Sequence, residues 1–328
     1  MEPHGRFANV TRMKLHQLRT LVAIADAGGI RGAARALDAS PAAITKSLRQ
    51  LEEAAQIPLV VRTSSGVTLT EFGQTLLVHA RLMIGQMARA QEAVDAMRGT
   101  ATGKLSIAIT PWLAMTFLPG TMKRFTERMP EIRLEFFEGL LPIANPRLRD
   151  GSLDFFLGRP TPGNLGVEFQ YRPLFSSSCA VVVRQDHPRA NCRSLAELCD
   201  LDWLLTWDPA NDGPSAENMF ERHKLPMPRK IHLAHSFSIA LSLLRHSDMA
   251  SIFPWPLVEV SASREGLCAV PVREQLEDAK VSIISRSGHP LSVASECFIE
   301  CLVETVHDAQ RSDSADTRNV LRSVDLLI

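Results

Sequence analysis

The sequence predicts an α/β protein in three parts: an N-terminal winged helix-turn-helix, a long linker helix, and a C-terminal region of two α/β subdomains. Three observations support this fold class. Closely spaced apolar helical patterns fill residues 15–51, one unbroken helical stripe fills residues 71–98, and strand patterns alternate with helical ones after residue 104. The length of 328 residues suits about two domains of roughly 150 residues each.

The composition excludes several classes of protein. Hydrophobic residues make up 45% of the chain and charged residues 22%, a globular balance that excludes a wholly disordered chain. No apolar run reaches the roughly 18 residues of a membrane span, and residues 1–12 lack the apolar core of a secretory signal. Six cysteines are too few for a disulfide scaffold of this length. We therefore expect a cytoplasmic protein with no membrane partner.

The formal net charge of zero hides two regions of opposite sign. Residues 1–100 hold 12 basic and 8 acidic residues, a net charge of +4, and the rest of the chain has a net charge of −4. A difference of this size can arise by chance, but it suggests that the two regions have different partners. The neutral total is therefore no argument against a nucleic-acid partner.

The N-terminal region predicts a compact unit of three helices. Apolar residues recur at helical spacing from Leu15 to Ala25, and the glycine pair at 28–29 ends this helix. A short second helix carries small alanines, which allow another helix to approach closely. Ser40 is then a good N-cap and Pro41 suits the first position of the third helix. Two short helices joined by a tight turn, the second with hydroxyl and basic residues, describe a helix-turn-helix.

A β-hairpin wing is predicted next. Residues 58–61 are prone to form a strand, residues 62–66 form a polar turn, and residues 67–69 return as a second strand. Hydroxyl groups and an arginine at such a tip can bind phosphates.

The segment from Leu15 to Gly73 resembles the winged helix-turn-helix of the LysR-type transcriptional regulators. Sixteen residues in fixed register carry this resemblance: Leu18, Ala33, Ala34, Leu37, Ser40, Ala43, Ile44, Thr45, Leu48, Leu51, Glu52, Leu59, Arg62, Leu69, Thr70 and Gly73. The chain departs from the family pattern at Pro41–Ala42, where the family usually has Gln-Pro, and at Val60, where it has phenylalanine. Losing that glutamine removes one potential base or phosphate contact.

The resemblance implies that the third helix enters the major groove of double-stranded promoter DNA. Taken alone, Lys46 and Arg49 would be interpreted as a solvated helix face. In the family's arrangement they bind phosphates or guanine edges, and Thr45 binds a phosphate or a thymine methyl group. The full set of expected DNA contacts is Arg31, Ser40, Pro41, Ala42, Thr45, Lys46, Arg49, Arg62, Thr63 and Ser64.

Residues 71–98 predict a single long helix, because they contain no proline and only two glycines. A helix of about 27 residues is roughly 40 Å long, and one apolar stripe on so long a helix favours a partner helix. An internal core helix is the alternative. In the resembling family this helix joins two chains, which implies a homodimer or homotetramer and two recognition helices for a two-fold operator. Residues 99–103 are predicted to form a hinge.

The C-terminal region predicts two α/β units. Strand patterns at residues 105–109, 133–137 and 154–158 alternate with helical patterns at 115–129 and 147–151, which predicts a parallel sheet with helices on both faces. A second unit begins near Leu174. Its predicted strands are residues 180–183, 203–206, 231–233 and 251–253, and a strand at 281–285 and a helix at 293–307 follow.

The resemblance extends over about residues 13–308 and implies a two-subdomain effector-binding domain similar to periplasmic binding proteins, with two crossovers between the halves. The expected division is an extension at 1–12, the DNA-binding domain at 13–71, the linker helix and hinge at 72–103, the effector-binding domain at 104–308, and a tail at 309–328 without a predicted role. Within the effector-binding domain, we expect subdomain I at about 104–173 and 273–308, and subdomain II at about 174–272.

A small-molecule effector is the partner expected for this domain. Residues 149–154 resemble the family motif before the third strand. Most family members carry Gly-x-Gly where this chain has Ser247–Asp248–Met249, and the His246–Ser247–Asp248 variant resembles a subgroup that responds to aromatic sulfonates and aromatic acids.

The effector is expected beyond the carboxyl ends of the strands, where two α/β units face each other. Thr110 follows the first strand and precedes a helical segment whose N–H groups can receive an anion. Trp112 can stack on a flat ring. The full set of expected contacts is Thr110, Trp112, Leu113, Gly139, Leu140, Arg159, Trp207, His235, Ser236, Phe237 and Phe253. Each has a structural alternative, such as core packing, a helix cap or a surface ion pair.

The sequence gives little indication of enzyme chemistry, and no cofactor is expected. Phosphate-binding loops, nucleophile elbows and zinc-protease motifs are absent from it. Cys297 and Cys301 lie one turn apart but lack further ligands, so buried structural cysteines are the better interpretation. Two alternatives stay open: a solute-binding or enzymatic α/β protein with an N-terminal oligomerisation arm, and a redox sensor of the same family that uses Cys192 and Cys199. A transcriptional activator would have RNA polymerase as a further partner.

Overall fold

A computed structural model describes residues 13–63, 66–97, 103–139, 141–160, 168–206, 216–262, 264–311 and 324–327. The chain divides into two compact units, with the boundary near residue 98. The N-terminal unit contains α1 (Leu15–Asp26), α2 (Ile30–Ala36), α3 (Pro41–Ala55), β1 (Val60–Thr63), β2 (Gly66–Leu69) and α4 (Glu71–Met97).

Local chemistry explains the ends of the N-terminal helices. Gly28 takes a positive φ of 68° after α1, where an L side chain would be strained. Ser40 is extended, and its hydroxyl accepts a hydrogen bond from the Ala43 N–H at 3.1 Å, while Pro41 occupies the first turn of α3. The left-handed Gln56 ends α3. The predicted three helices and wing are confirmed.

One contact that the sequence did not predict connects the recognition helix to the wing. A carboxylate oxygen of Glu52 on α3 accepts hydrogen bonds from the N–H groups of Leu59 at 2.9 Å and Val60 at 3.3 Å. Gly73 allows the start of α4 to lie against the backbone just before β1. A Cβ at this position would be 2.0 Å from the Leu59 carbonyl oxygen. The wing is therefore anchored at its base by α3 and α4.

The apolar side chains along the long helix α4 differ in their burial. Ala80 is fully buried, and Leu76 and Ile84 pack with it against the core of the three-helix unit. A second set of large apolar side chains on the same helix is exposed: Phe72, Val78, Met83, Met87 and Val94. The predicted single stripe therefore divides into an inward part and an unpartnered part.

The C-terminal unit contains seven further helices and eleven strands within the residues that the structure describes. The helices are α5 (Pro111–Thr116), α6 (Leu118–Arg128), α7 (Leu141–Asp150), α8 (Ala216–Arg222), α9 (Phe237–Arg245), α10 (Trp255–Leu257) and α11 (Val293–Gln310). The strands are β3 (Gly103–Ile109), β4 (Ile132–Glu138), β5 (Phe155–Gly158), β6 (Phe169–Ser177), β7 (Cys179–Arg184), β8 (Asp202–Leu205), β9 (Lys230–Leu233), β10 (Ser251–Pro254), β11 (Leu267–Val270), β12 (Ala279–Arg286) and β13 (Val324–Leu326). Short 3-10 and π turns lie at Leu195–Leu198 and Val258–Ala262.

Subdomain I is built on a mixed six-stranded sheet with the order β13-β6-β12-β5-β3-β4. β3 pairs in parallel with β4 and β5, as predicted, whereas β12 is antiparallel to both β5 and β6. The predicted parallel arrangement of β3, β4 and β5 is therefore confirmed, whereas the mixed character of the whole sheet was not predicted. Two of the six strands, β12 and β13, run opposite to the other four, because β12 is antiparallel to its neighbours β5 and β6 and β13 is antiparallel to β6.

Subdomain II has two small sheets. Strands β10, β7 and β11 form an antiparallel sheet, and β8 pairs in parallel with β9. The sequence prediction missed β6, β11 and β13. It also joined α5 and α6 into one helix, which the structure breaks at Phe117 because Pro119 cannot donate the backbone hydrogen bond that continues a helix.

Across the described residues, none of the helices combines the length and the apolar character required to cross a membrane.

Candidate functional site

Two surfaces concentrate the polar residues that the sequence singled out: the outer face of α3 and a cavity in the C-terminal unit. On α3, Ile44, Leu48 and Leu51 are buried against the three-helix core, whereas Lys46 and Arg49 are exposed. Because the helix is amphipathic, burial of the apolar face presents the polar face to solvent.

Local hydrogen bonds hold the polar side chains of α3. The Thr45 hydroxyl donates to the Pro41 carbonyl at 2.8 Å, and Arg49 pairs with Glu53 one turn later at 2.9 Å. The Arg49–Glu53 pair is solvent-exposed, with 80% and 61% of the two side chains accessible. Such a pair stabilises the helix little, so Arg49 can exchange this partner for a phosphate at small cost.

The other expected DNA contacts lie around this face. Arg31 on α2 and the residues Ser40, Pro41 and Ala42 at the start of α3 are exposed. Arg62 and Thr63 lie in β1, which pairs with β2 from Val60 opposite Leu69 to Thr63 opposite Gly66. Ser64 lies outside the described residues.

The cavity has a volume of about 170 Å³ and lies between the two subdomains of the C-terminal unit. Eight of the eleven expected effector contacts line it: Thr110, Trp112, Gly139, Arg159, His235, Ser236, Phe237 and Phe253. Leu113 is fully buried and does not line the cavity. Leu140 and Trp207 lie outside the described residues.

Thr110 lines this cavity and carries a buried hydroxyl group. The residue is only 6% exposed, and its hydroxyl oxygen has no hydrogen-bond partner among the described residues. Its backbone is fixed on both sides, since its N–H donates to the Leu157 carbonyl and its carbonyl accepts from the Ala114 N–H. A buried hydroxyl without a partner carries a desolvation cost, which a ligand oxygen can offset.

The apolar wall of the cavity is aromatic and aliphatic. The rings of Phe237 and Phe253 pack edge to face, with centroids 5.3 Å apart, and Ile252 and Leu257 lie beside them. Trp112 packs edge-on against Phe117 and Phe175 and is buried, so its ring belongs to the core as much as to the cavity.

The charged and polar lining groups come from several elements. Arg159 and Lys280 contribute positive charge, and Glu138 contributes a carboxylate. Ser236 caps α9 only by its backbone, because its hydroxyl pairs with the Ser238 hydroxyl at 2.9 Å. Lys280 was not predicted, since the sequence pattern identified a strand at 281–285 but gave no signal that its first residues border a ligand site.

Cys179 is a second lining residue that the sequence did not indicate. Burial raises the pKa of its thiol to about 12, although the nearby positive charge of Arg159 acts in the opposite direction. The thiol is therefore protonated at neutral pH and contributes a weakly polar surface to the cavity.

Four of the other cysteines have thiols whose pKa is raised. Burial is the main cause that raises the pKa values of the Cys192, Cys199 and Cys268 thiols, and it raises the pKa of Cys301 to about 11. Reactive cysteines have lowered pKa values, because the thiolate is the nucleophile. These environments do not favour a redox-sensing role for Cys192 and Cys199. Among the described residues, no cluster of three or more His, Cys, Asp or Glu side chains could hold a metal ion.

Comparisons with known proteins cover most of the chain. Residues 98–306 match the family described as "LysR substrate binding domain", and residues 15–74 match "Bacterial regulatory helix-turn-helix protein, lysR family". The chain is 24% identical over 279 residues to the HTH-type transcriptional regulator TdcA of Escherichia coli K12, covering 84% of this chain and 88% of TdcA.

Two further relatives extend this comparison. The SDS degradation transcriptional activation protein of a Pseudomonas species is 26% identical, with 87% of this chain and 94% of that protein covered. Among solved structures, full-length CbnR in complex with its target DNA superposes with a TM-score of 0.64 at 20% identity, covering 89% of this chain and all of CbnR.

Proposed function

The chain belongs to the LysR family of DNA-binding transcriptional regulators, and we propose that a small aromatic acid or sulfonate, bound in the Thr110 cavity, controls its binding to DNA. Its family membership contradicts the alternative in which the first 100 residues serve only as an oligomerisation arm. The effector-binding domain is likewise a property of the family.

For DNA recognition, we assign the main contacts to the exposed face of α3. Lys46 and Arg49 present two cations on this face, and Thr45, one turn before Arg49, has a hydroxyl that still has acceptor capacity. Arginine and lysine in a major-groove helix bind phosphates and guanine edges. The wing residues Arg62, Thr63 and Ser64 would add backbone contacts.

We further propose that α4 assembles the chain into a homodimer, or a tetramer of two such dimers. The support is the exposed apolar set Phe72, Val78, Met83, Met87 and Val94 on a helix of 27 residues. Large apolar groups at helical spacing are stabilised by burial against a second helix. A dimer presents two copies of α3, as a two-fold operator requires.

The observation that carries the ligand proposal is the buried, unpartnered hydroxyl of Thr110. A carboxylate or sulfonate oxygen would accept its hydrogen bond, and Arg159 and Lys280 would compensate the negative charge. The aromatic ring would lie against Phe237 and Phe253. A cavity of about 170 Å³ suits one substituted ring, since an apolar cavity of about 150 Å³ accepts benzene.

A sulfur oxyanion is also compatible with the name of the relative that activates SDS degradation, since SDS carries a sulfate headgroup. Ligand binding would close the two subdomains on each other, since the cavity has walls from both. Such a change is a population shift between two states of the domain. If the protein activates transcription, RNA polymerase is its further partner.

Calorimetry with charged and neutral ligands of one shape tests this proposal. We expect benzoate and 4-toluenesulfonate to bind and to raise the melting temperature, and we expect benzamide and 4-toluenesulfonamide to bind at least tenfold more weakly, because charge-assisted hydrogen bonds are the stronger ones. Equal binding of the neutral compounds, or binding of none of the four, would contradict the assignment of an aromatic anion.

A further inference from the structure

The C-terminal strand β13 completes one edge of the subdomain I sheet. It pairs antiparallel with β6, with Val324 opposite Ser177 and Leu326 opposite Phe175. The Leu327 N–H donates to the Leu174 carbonyl at 3.0 Å. The Val324 side chain is 3% exposed and packs in the main apolar core of the unit. The strand therefore docks through both its backbone and its side chains.

The docking position coincides with the place where the chain passes between the subdomains. β6 ends at Ser177, and β7 begins in subdomain II at Cys179, while the returning chain enters β12 at Ala279. On its other edge the same end of β6 pairs with β12, with Phe175 opposite Val281 and Ser177 opposite Ala279. The segment that leaves for subdomain II, the segment that returns into β12, and β13 thus all meet at the last three residues of β6.

The residues that follow β6 or pair with its end line the ligand cavity. Cys179, Ala279, Lys280 and Val281 line the cavity directly. The Phe175 ring packs against the Trp112 ring, which also lines it, with centroids 6.3 Å apart. A change in the position of β6 would therefore change the wall of the cavity.

Without β13, the end of β6 would present an open sheet edge. Because residues 174 and 327 form a hydrogen-bonded pair, the alternation of antiparallel ladders makes Ser176 and Asp325 the next such pair. The Ser176 N–H then depends on β13 for its partner. An open edge of this kind is a template for pairing with another strand.

We propose that the edge of β6 is a strand-docking site whose occupant is this chain's own C-terminal strand, and that docking raises the affinity of the adjacent cavity for its ligand. Docking restrains the crossing point, so less freedom is lost there when a ligand binds. By linkage, a bound ligand strengthens docking by the same factor. The proposed effect on ligand affinity rests on the proposed function, whereas the docking of β13 and its effect on the cavity wall do not.

Two substitutions at one exposed position test docking in the full-length protein. Asp325→Pro removes the N–H that pairs with Ser176, while Asp325→Ser keeps it, and neither change alters the buried Val324. We expect D325P to accelerate hydrogen–deuterium exchange about tenfold in residues 174–177 and measurably in residues 279–281, and D325S to match the wild type. Equal exchange in D325P and the wild type would overturn the proposal.

Calorimetry with 4-toluenesulfonate measures the coupling. D325P should bind it about fivefold more weakly than the wild type, and D325S should bind it equally. Unchanged affinity in D325P, together with unchanged exchange at 279–281, would make β13 a structural strand only and overturn the proposal. If the wild type does not bind 4-toluenesulfonate, the proposed ligand class fails, and the exchange at 279–281 decides the coupling by itself.

A peptide experiment covers the case in which D325P does not fold. The chain would end after Arg311, and a synthetic peptide of residues 321–328 would be added. We expect the native peptide to restore folding or the protection of residues 174–177, and the peptide with D325P to fail. An equal effect of the two peptides would show that docking through this strand does not occur.

Discussion

The outer face of α3 and the ligand cavity differ in how their polar groups are satisfied before a partner arrives. On α3, the Ser40, Thr45 and Arg49 side chains each have a local partner within the helix. In the cavity, the Thr110 hydroxyl is buried without one. Polar groups on a surface in contact with water have no desolvation cost in the absence of DNA. A buried polar group destabilises the ligand-free protein until a ligand supplies its hydrogen-bond partner. Binding and stability should therefore be separable on α3 and coupled at the cavity.

The largest expected effect comes from removing both cations of α3. The double variant K46A/R49A should lose about 100-fold or more in affinity for upstream promoter DNA, because a dimer loses four charges at once. Its melting temperature should change little, since both side chains are exposed. Gel-shift titration at several salt concentrations measures the affinity and the salt slope.

A matched control for this variant is R19A, which removes an exposed arginine from α1. It should leave DNA affinity within a few-fold of the wild type. Retained affinity in K46A/R49A, or an equal loss in R19A, would show that α3 does not carry the main contacts.

The second prediction concerns the cavity, where a change at Thr110 should affect both stability and ligand affinity. T110V keeps the shape of the side chain but removes the unpartnered hydroxyl. We expect the ligand-free protein to be as stable as the wild type or more stable, by up to about 1 kcal/mol, while affinity for 4-toluenesulfonate falls about tenfold. Differential scanning calorimetry and isothermal titration measure the two effects.

T110S is the control for this prediction, because it retains the hydroxyl. Its affinity should lie closer to the wild type than that of T110V. A T110V variant that loses stability and keeps its affinity would place the hydroxyl in a structural role instead.

The same contrast explains which features could be predicted from the sequence. The start of α3 follows from neighbouring residues: Ser40 caps it and Pro41 occupies its first position. Such signals are local, so the helix-turn-helix could be recognised. The pairing of Ser176 with Lys280 joins residues about a hundred positions apart, and periodicity carries no information about partners at that distance. For this reason the mixed sheet, and Lys280 as a cavity residue, were missed.

Leu113 shows a limit of a different kind. It was grouped with Trp112 because both follow the first strand, yet the structure buries Leu113 in the core and brings Trp112 to the cavity. Adjacent residues of a helix do not share a face. The contact predicted for Leu113 therefore has no support in the lining of the cavity, and the choice between the two residues needed the position of the second subdomain.

The third prediction separates the role of Ser40 as the N-cap of α3 from its proposed role as a DNA contact. S40A removes the cap on the Ala43 N–H and should cost about 1 kcal/mol of unfolding free energy. S40D keeps a capping oxygen but adds a negative charge beside the DNA-facing surface, so its stability should be preserved while DNA affinity falls several-fold. Thermal melts measure the stability of both variants and gel shifts measure their affinity for DNA, with S40T as the conservative control. Wild-type DNA affinity in S40D would remove Ser40 from the set of DNA contacts.

The smallest expected effect concerns Glu135, a polar group of the C-terminal unit that has its partners in place. Its carboxylate accepts hydrogen bonds from Lys104 at 2.5 Å and from the Ser106 hydroxyl at 3.1 Å. The bond from Lys104 is the main cause that lowers the pKa of Glu135, and burial opposes it. A lowered folded-state pKa stabilises the protein above the unfolded pKa of about 4.3, and this contribution is lost as the pH falls through the folded-state value.

Because the Lys104–Glu135 pair is largely exposed, its contribution should stay below about 1 kcal/mol. The variant E135Q should therefore melt slightly below the wild type at pH 7, and the difference should shrink as the pH falls below the unfolded pKa of about 4.3. Melting curves between pH 3.5 and pH 7 measure it, with the exposed Glu131 as the control in E131Q. A difference that grows as the pH falls would reverse the sign of the linkage and show that the protonated carboxyl is the form that the fold favours.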